Sequence, residues 1–202
     1  MYGRELVNAL WSEDNEWSAT EIHPIRDAAP DVFRTARIAL LTMHERMTRI
    51  LESHQNPAFV DLGGGLSTHV YLPQYFLKYT TVLDGCDAFL AKSRCRSILG
   101  CDLNEGIPLP DESVDAAISL FTIRYLFKEL FITEVLRILK PGAPFFILDY
   151  EQLGHPLEES PFRPDQLIND LPNRPSSFTI RQFHPMTLKP ELRNVWEFEG
   201  VK

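Results

Sequence analysis

Residues 59–73 read FVDLGGGLSTHVYLP, in which an apolar run ends at the acid Asp61 and three glycines follow. A strand that passes into a helix through glycines brings unpaired backbone N–H groups together where no side chain blocks a ligand. Gly63 and Gly65 would supply that close approach. Because any tight turn from a strand to a helix favours glycine, this pattern alone indicates a nucleotide site only weakly.

The composition restricts the class of protein. The 202 residues are 44% hydrophobic and 24% charged, which is typical of a soluble globular domain, and no apolar run is long enough for a membrane span. Cys86, Cys95 and Cys101 lack CxxC spacing, which favours a reducing compartment, and we expect a cytoplasmic protein. The net charge of −8 disfavours nucleic acid as a partner. No histidines have metal-ligand spacing, so we expect no metal site.

Short apolar runs alternate with helical or turn-rich segments through the middle of the chain. Such runs are typical of parallel strands that are buried on both faces of an α/β sheet. Two later runs alternate polar and apolar residues and indicate an antiparallel pair at the sheet edge. The five earlier runs are residues 59–60, 80–83, 97–99, 114–121 and 144–148, and the two later ones are 178–183 and 194–201.

Two segments have the apolar periodicity of amphipathic helices. The first covers residues 31–53, and a weaker helix is predicted before it at residues 3–11. The second covers residues 125–140 and ends at a Lys-Pro-Gly sequence, which is a typical helix stop. A helix is expected between the glycine turn and the second strand, but Pro73 would interrupt it, because proline removes a backbone hydrogen bond and clashes with the preceding turn. We therefore expect that helix either to begin late or to be kinked.

Acids follow three of the predicted strands. Asp84 lies 21 residues after Gly63, where a carboxylate at the end of a strand can accept both hydroxyls of a ribose, and Asp102 follows the next strand. Because the carboxyl ends of parallel strands meet at one edge, Asp61, Asp84 and Asp102 predict one nucleotide cleft. Thr68 stands where a dinucleotide fingerprint has its third glycine, and no Gly-Lys-Ser/Thr follows. The two missing motifs therefore disfavour hydride transfer and phosphoryl transfer as the reaction.

At this point the motifs resemble those of the class I S-adenosylmethionine-dependent methyltransferases, especially the small Rossmann-like members. The first motif of that family resembles DLGGGLS at residues 61–67, and its second is similar to Asp84, Cys86 and residues 89–90. The most specific similarity is CDLNEGIPLPDESVDAAISLF, residues 101–121, followed by EVLRILKPGAPFFILDY, residues 134–150. The resemblance covers roughly residues 58–150.

The resemblance implies a single α/β domain. Its sheet would be Rossmann-like and seven-stranded, mostly parallel, with an antiparallel C-terminal edge. The resemblance does not cover residues 1–55, which we expect to form an N-terminal helical lid over the cofactor cleft, with residues 56–202 as the α/β core.

The resemblance also implies S-adenosylmethionine as the cofactor. Its pocket needs carboxylates for the ribose and ammonium groups, N–H donors for the carboxylate and apolar walls around the adenine. By analogy, the methionine end of the cofactor would contact Asp61, Gly63, Gly64 and Gly65. The ribose would contact Asp84 and Gly85, and the adenine edge would contact Asp102 and Leu103. Ser119 or Leu120 would lie on the sulfonium side.

The acceptor side of the predicted site is less well defined. Many relatives place a histidine after the fourth strand, where this chain has Arg124 and Tyr125. We take these two residues and Asp149, which follows the fifth strand, as catalytic candidates. The structural alternatives are a solvated charge for Arg124, a half-buried core aromatic for Tyr125 and a loop cap for Asp149.

The expected function is methyl transfer from S-adenosylmethionine to a small-molecule acceptor, with no nucleic-acid or membrane partner. The sequence does not predict the oligomeric state. One alternative is a non-catalytic binding or scaffold protein with the same fold, which Pro73 and the missing histidine favour. The other is a protein methyltransferase. Retention of all three strand-end acids favours the enzyme.

Overall fold

The computed structural model describes residues 30–64, 68–91, 93–151, 161–183 and 194–202. Within these ranges the chain forms seven strands, six α-helical segments and one 3-10 helix at Ile123–Tyr125. The strands are β1 Phe59–Leu62, β2 Thr80–Asp84, β3 Ser97–Gly100, β4 Ala116–Leu120, β5 Pro144–Tyr150, β6 Ser177–Phe183 and β7 Val195–Val201. The helical segments are α1 Pro30–Ser53, α2 Thr68–Tyr71, α3 Gln74–Leu77, α4 Asp87–Leu90, α5 Lys128–Ile138 and α6 Pro164–Leu167.

All seven strands belong to one sheet in the order β3-β2-β1-β4-β5-β7-β6. β1 to β5 pair in parallel, whereas β7 is antiparallel to both β5 and β6. This arrangement confirms the predicted Rossmann-like, mostly parallel sheet with an antiparallel C-terminal edge. The strand order reverses between β1 and β4, and open parallel sheets bind ligands at such a point, beyond the carboxyl ends of the strands.

Helices cover the sheet on both faces, which is why the central strands are mostly apolar and are buried along their whole length. Every residue of β4 and β5 is buried. On one face, α5 contributes Phe131, Val135 and its neighbours to a large apolar cluster. On the other face, α1 contributes Leu40 and Met43 to a second cluster.

The first predicted amphipathic helix is confirmed as α1, one residue longer than expected at its N-terminal end. The structure therefore shows that residues 30–53 of the predicted lid lie on the sheet, with an apolar face in the core. Residues 1–29, including the weaker helix predicted at 3–11, lie outside the described residues. No helix in the described ranges combines the length and apolar character that a bilayer span requires.

Pro73 divides the helical region after the glycine turn. Leu72 donates the last α-type backbone hydrogen bond of α2 to Thr68, at 2.9 Å. Pro73 then adopts an extended conformation, with φ −53° and ψ 143°, and α3 begins at Gln74. The region is thus broken at Pro73 into two single turns. It begins at Thr68 and does not start late.

Two predicted elements begin two or more residues later than expected. The helix expected at 125–140 begins only at Lys128, because a 3-10 helix precedes it and Leu126 and Phe127 are extended. The strand expected at 114–121 covers only Ala116–Leu120, because Val114 makes an isolated bridge to Leu139. Apolar periodicity runs through both junctions and does not reveal where the backbone changes conformation.

Candidate functional site

The glycine turn places a buried carboxylate beside bare backbone. Asp61 is the third of the four buried residues of β1 and is 1% exposed, and its Oδ2 accepts a hydrogen bond of 2.5 Å from the Thr68 hydroxyl at the start of α2. Oδ1 has no hydrogen-bond partner among the described residues. A Cβ built on Gly64 would overlap the Asp61 carboxylate and the Thr68 hydroxyl. Only glycine at position 64 leaves this carboxylate in place.

Gly63 joins the turn to the neighbouring strands. Its φ of +71° lies in the left-handed region, and a Cβ there would overlap the Thr122 side chain. The Gly63 N–H donates to the Leu83 carbonyl at 2.6 Å, and its carbonyl accepts a hydrogen bond of 2.9 Å from the Thr122 hydroxyl. The turn is therefore held by β2 on one side and by the end of β4 on the other. Gly65, the third predicted glycine contact, lies outside the described residues.

Asp84 ends β2 at the same edge of the sheet. Its side chain is 8% exposed, and its Oδ1 accepts a hydrogen bond of 2.7 Å from the backbone N–H of Cys86, across the bend at Gly85. Its backbone carbonyl accepts a hydrogen bond of 3.0 Å from Cys101. These bonds fix the direction of the carboxylate. They are what an acid that receives a ribose requires, because a free rotamer would weaken a bidentate contact.

Asp102 follows β3 and lies on the wall of an open depression with a volume of about 550 Å³. Its Oδ1 accepts a hydrogen bond of 2.9 Å from the backbone N–H of Asn104. Oδ2 is buried and has no hydrogen-bond partner in the part of the chain that the structure describes. Leu103 is 4% exposed and belongs to the apolar cluster on the α5 face. Asp102 thus presents one unused acceptor, while the Leu103 side chain packs inward.

Ser119 and Leu120 lie in β4, next to β1. The Ser119 hydroxyl donates a hydrogen bond of 2.8 Å to the Leu62 carbonyl, so it stabilises the junction of the two strands. Leu120 is 2% exposed and packs in the cluster on the α1 face. The side chains of both candidates for the sulfonium side therefore face the interior.

Burial changes the acidity of Asp61. Removal of the carboxyl from water raises its pKa from 3.8 to about 7, although the hydrogen bond from Thr68 lowers it. The negative charge of Asp84 raises it further, which shows that the structure brings these two acids close enough to interact. A cation placed between them would reverse this effect, because an opposite charge favours the ionised carboxylate.

The three acceptor-side candidates form one contact group. The Arg124 guanidinium makes an ion pair with the Asp149 carboxylate, and both side chains are almost fully buried. Arg124 also donates a hydrogen bond of 2.8 Å to the Tyr125 hydroxyl and lies 5.3 Å from the centre of the Tyr150 ring. The structure therefore contradicts the alternative that Arg124 is a solvated charge. Asp149 also accepts hydrogen bonds from the backbone N–H groups of Arg124, at 3.1 Å, and Tyr150, at 2.7 Å.

The charge states of this pair follow from burial and contact. Burial raises the pKa of the Asp149 carboxyl, while the Arg124 guanidinium and two backbone N–H donors act against that rise. Burial lowers the pKa of Arg124, but Asp149 and Tyr125 raise it by more, so the guanidinium stays charged. We describe the pair as ionised, because a permanently charged guanidinium in contact holds the carboxylate in its charged form.

Three functional positions were missed at the sequence level. Thr68 and Thr122 hold the glycine turn, and a hydroxyl residue carries no sequence signal for that role. Phe121, just after β4, has a φ of +60°, which is unusual for a bulky residue. Its ring lies 5.1 Å from Tyr150 and 6.2 Å from Tyr71, measured between centroids. Both tyrosines belong to the apolar cluster on the α1 face, and Phe121 packs against it.

Comparisons with known proteins agree with the observed fold. A family model described as a methyltransferase domain matches residues 60–147. None of the curated proteins compared with the chain matches it in sequence. Solved methyltransferase structures match it in fold, at identities that support the fold alone.

Three of these structures illustrate the extent of the match. An S-adenosylmethionine-dependent methyltransferase from Archaeoglobus fulgidus is 10% identical, with a TM-score of 0.62, and the alignment covers 90% of this chain and 100% of that one. One from Thermotoga maritima, described as a possible histamine N-methyltransferase, is 17% identical, with a TM-score of 0.62 and coverages of 91% and 95%. Haemonchus contortus phosphoethanolamine N-methyltransferase 2, in complex with S-adenosyl-L-methionine, is 13% identical, with a TM-score of 0.55 and coverages of 73% and 49%.

Proposed function

We propose, from the premise that the chain carries a class I S-adenosylmethionine-dependent methyltransferase domain, that the protein transfers the methyl group of this cofactor to a small-molecule acceptor. The observation that carries the proposal is the turn at Asp61. A buried carboxylate with one unused oxygen lies against a glycine that has no room for a Cβ, at the point where the strand order reverses. Bare backbone and an unpaired acceptor suit the zwitterionic end of the cofactor.

The donor set at the sheet edge fits the rest of the cofactor. In this proposal Asp61 and the Gly63–Gly65 backbone hold the ammonium and carboxylate groups. Asp84 and Gly85 hold the ribose. Asp102 accepts the adenine amino group through its unused Oδ2, with the backbone at Leu103 beside it. The backbone at Ser119 and Leu120 lies on the sulfonium side, since both side chains face inward.

In this proposal the protein positions the two reactants and excludes water from the site of methyl transfer. When bound, the cofactor supplies a methyl group on a sulfonium cation, which is a reactive electrophile. Methyl transfer to a nucleophile is an in-line displacement, so alignment of the two reactants provides much of the acceleration. Phe121 and its aromatic neighbours would form the dry side of the cleft and exclude water from it.

The acceptor-side residues divide into two roles in this proposal. Arg124 and Asp149 neutralise each other inside the protein, so we assign them as positioning residues that fix the segment after β4. Tyr125 is only partly buried, and its hydroxyl accepts a hydrogen bond from Arg124. We therefore propose Tyr125 as the residue that contacts the acceptor.

A second candidate function is a binding module without catalysis. The break at Pro73 favours it, because α2 and α3 are single turns and only a short helix follows the glycine turn. This candidate predicts weak or no cofactor binding. The first candidate predicts binding that depends on the strand-end acids.

Calorimetric titration of the purified protein with S-adenosylmethionine and S-adenosylhomocysteine distinguishes the two candidates. We expect binding, and we expect Asp84→Ala to weaken it at least ~10-fold, because two hydrogen bonds to the ribose would be lost. Asp87→Ala is the matched control, since Asp87 is an exposed acid three residues away. Absence of binding at millimolar cofactor would favour the binding module. Equal affinities of Asp84→Ala and the control would refute the ribose assignment.

A further inference from the structure

A cationic depression on the molecule is lined by none of the residues assigned to the cofactor. Its volume is about 560 Å³, and the lining contains three cations from two segments. We name it the basic depression, and its lining residues are Gln74, Leu77, Lys78, Arg94, Cys95 and Arg96.

The basic depression is at the amino-terminal edge of the sheet. Arg96 donates its backbone N–H to the Leu77 carbonyl at 2.8 Å, just before β3 and β2 begin. The Arg96 guanidinium donates to the side chain of Asn56 at 3.2 Å, and Asn56 precedes β1. The cofactor residues Asp84 and Asp102 lie at the other ends of these strands.

The three cations have no acidic partner within 4 Å among the residues that the structure describes. Lys78 lies 4.7 Å from the centre of the Tyr79 ring, and Arg96 contacts an amide oxygen. By contrast, Arg124, Arg137, Arg163 and Arg181 each have a carboxylate within that distance. The chain has a net charge of −8, so acidic groups are in excess. A need to balance the surface charge therefore does not explain why three cations without acidic partners surround one depression.

We propose that the basic depression binds the phosphate or pyrophosphate group of a phosphorylated small molecule or lipid. Two guanidinium groups suit the fork geometry with which arginine binds phosphate, Lys78 adds a point charge, and the Gln74 amide adds a neutral donor. The hollow matches the size of small-molecule sites, whereas the acidic remainder of the chain would repel a long polyanion. The phosphate belongs to a free phosphorylated compound or to a lipid headgroup.

The first test uses inorganic pyrophosphate and the full chain in calorimetry at low salt. We expect a dissociation constant below ~1 mM and a loss of at least ~10-fold in the double variant Arg94→Gln/Arg96→Gln. Lys78→Gln is the second variant and should lose less. The matched control is Arg174→Gln, because Arg174 is exposed and, within the described ranges, donates only to a backbone carbonyl, at 3.5 Å. Thermal unfolding verifies that each variant folds.

The remaining arms identify the source of the phosphate. Co-sedimentation with phosphatidylcholine vesicles that contain a fifth of phosphatidic acid, lost in the double variant, supports a headgroup. Pyrophosphate binding without co-sedimentation supports a free compound. Three results overturn the proposal: no binding of pyrophosphate at 10 mM, an equal loss in the Arg174 control, or tighter binding of a 20-nucleotide RNA with a salt dependence above about three counterions.

Discussion

The Arg124 guanidinium and the Asp149 carboxylate form a buried ion pair that joins the segment after β4 to the end of β5. Loss of one partner leaves the other as an unpaired buried charge. We expect Asp149→Ala to lower the free energy of unfolding by ~3–5 kcal/mol, measured by urea denaturation. The double variant Arg124→Met/Asp149→Leu should recover most of that loss. A cost below ~1 kcal/mol for the single variant would show that the pair is solvated.

Gly64 has no space for a side chain, because a Cβ would overlap the Asp61 carboxylate. We therefore expect Gly64→Ala to displace Asp61 and to weaken cofactor binding at least ~10-fold in calorimetry, beyond any loss of stability. Gly142→Ala is the matched control. Gly142 also has a positive φ, +79°, but a Cβ there meets nothing within 4 Å. It should cost about 1 kcal/mol of stability and leave cofactor affinity unchanged.

The raised pKa of Asp61 predicts a pH dependence of stability. Between the unfolded value of 3.8 and the folded value of about 7, the folded state binds more protons than the unfolded state. The free energy of unfolding should therefore fall as pH rises through this window, with each unit worth about 1.4 kcal/mol. Asp61→Asn should remove this contribution. Its stability relative to the parent protein should increase from pH 4 to pH 7, as measured by urea denaturation.

The same group predicts a pH dependence of cofactor binding. Only ionised Asp61 attracts the ammonium group, so affinity should rise as pH increases towards and above 7. The control is Glu197→Gln. Burial raises the pKa of Glu197 to about 7 as well, but this residue lies in β7, three strands away from β1 in the sheet. This variant should change the pH dependence of stability and leave that of binding intact. A binding profile that is flat from pH 5 to 8 would refute the role of Asp61.

Arg137 holds the loop that follows Asp102. Its guanidinium donates to the carbonyls of Ile107 and Leu109 at 2.7 and 2.8 Å, and to Glu134 of the same helix at 2.8 Å. We expect Arg137→Met to loosen this loop, measured as faster amide hydrogen exchange at residues 105–107 and 109. Cofactor binding should weaken several-fold, measured by calorimetry. Arg163→Met, which removes a distant ion pair at 3.3 Å, is the control and should not affect exchange there. Unchanged exchange in Arg137→Met would contradict this role.

Much of the fold could be predicted because it follows from local patterns. The continuous apolar runs indicated β4 and β5, whose side chains are buried on both faces, and the periodicity of residues 31–53 indicated α1. Glycines and acids at the ends of runs indicated the edge at which Asp61 and Asp84 interact. Such patterns carry the fold because they record burial and backbone freedom directly.

What could not be predicted depends on contacts between distant segments. The hydrogen bond from Thr122 to Gly63 and the pairing of Arg124 with Asp149 join residues 59 and 25 positions apart. A single sequence does not reveal which polar residue will meet which. Likewise, the insertion of β7 between β5 and β6 does not follow from the alternating pattern of either late strand, because each pattern is compatible with several orders.

The position of β7 imposes an order on folding during synthesis. β6 leaves the ribosome before β7, yet β7 is its hydrogen-bonding neighbour in the sheet, and β5 also lacks its antiparallel neighbour until then. The nascent chain therefore carries the unpaired edges of two strands until residues 195–201 have been made. Such edges promote association between chains, so a pause in translation in this region would expose the protein to aggregation before it could fold.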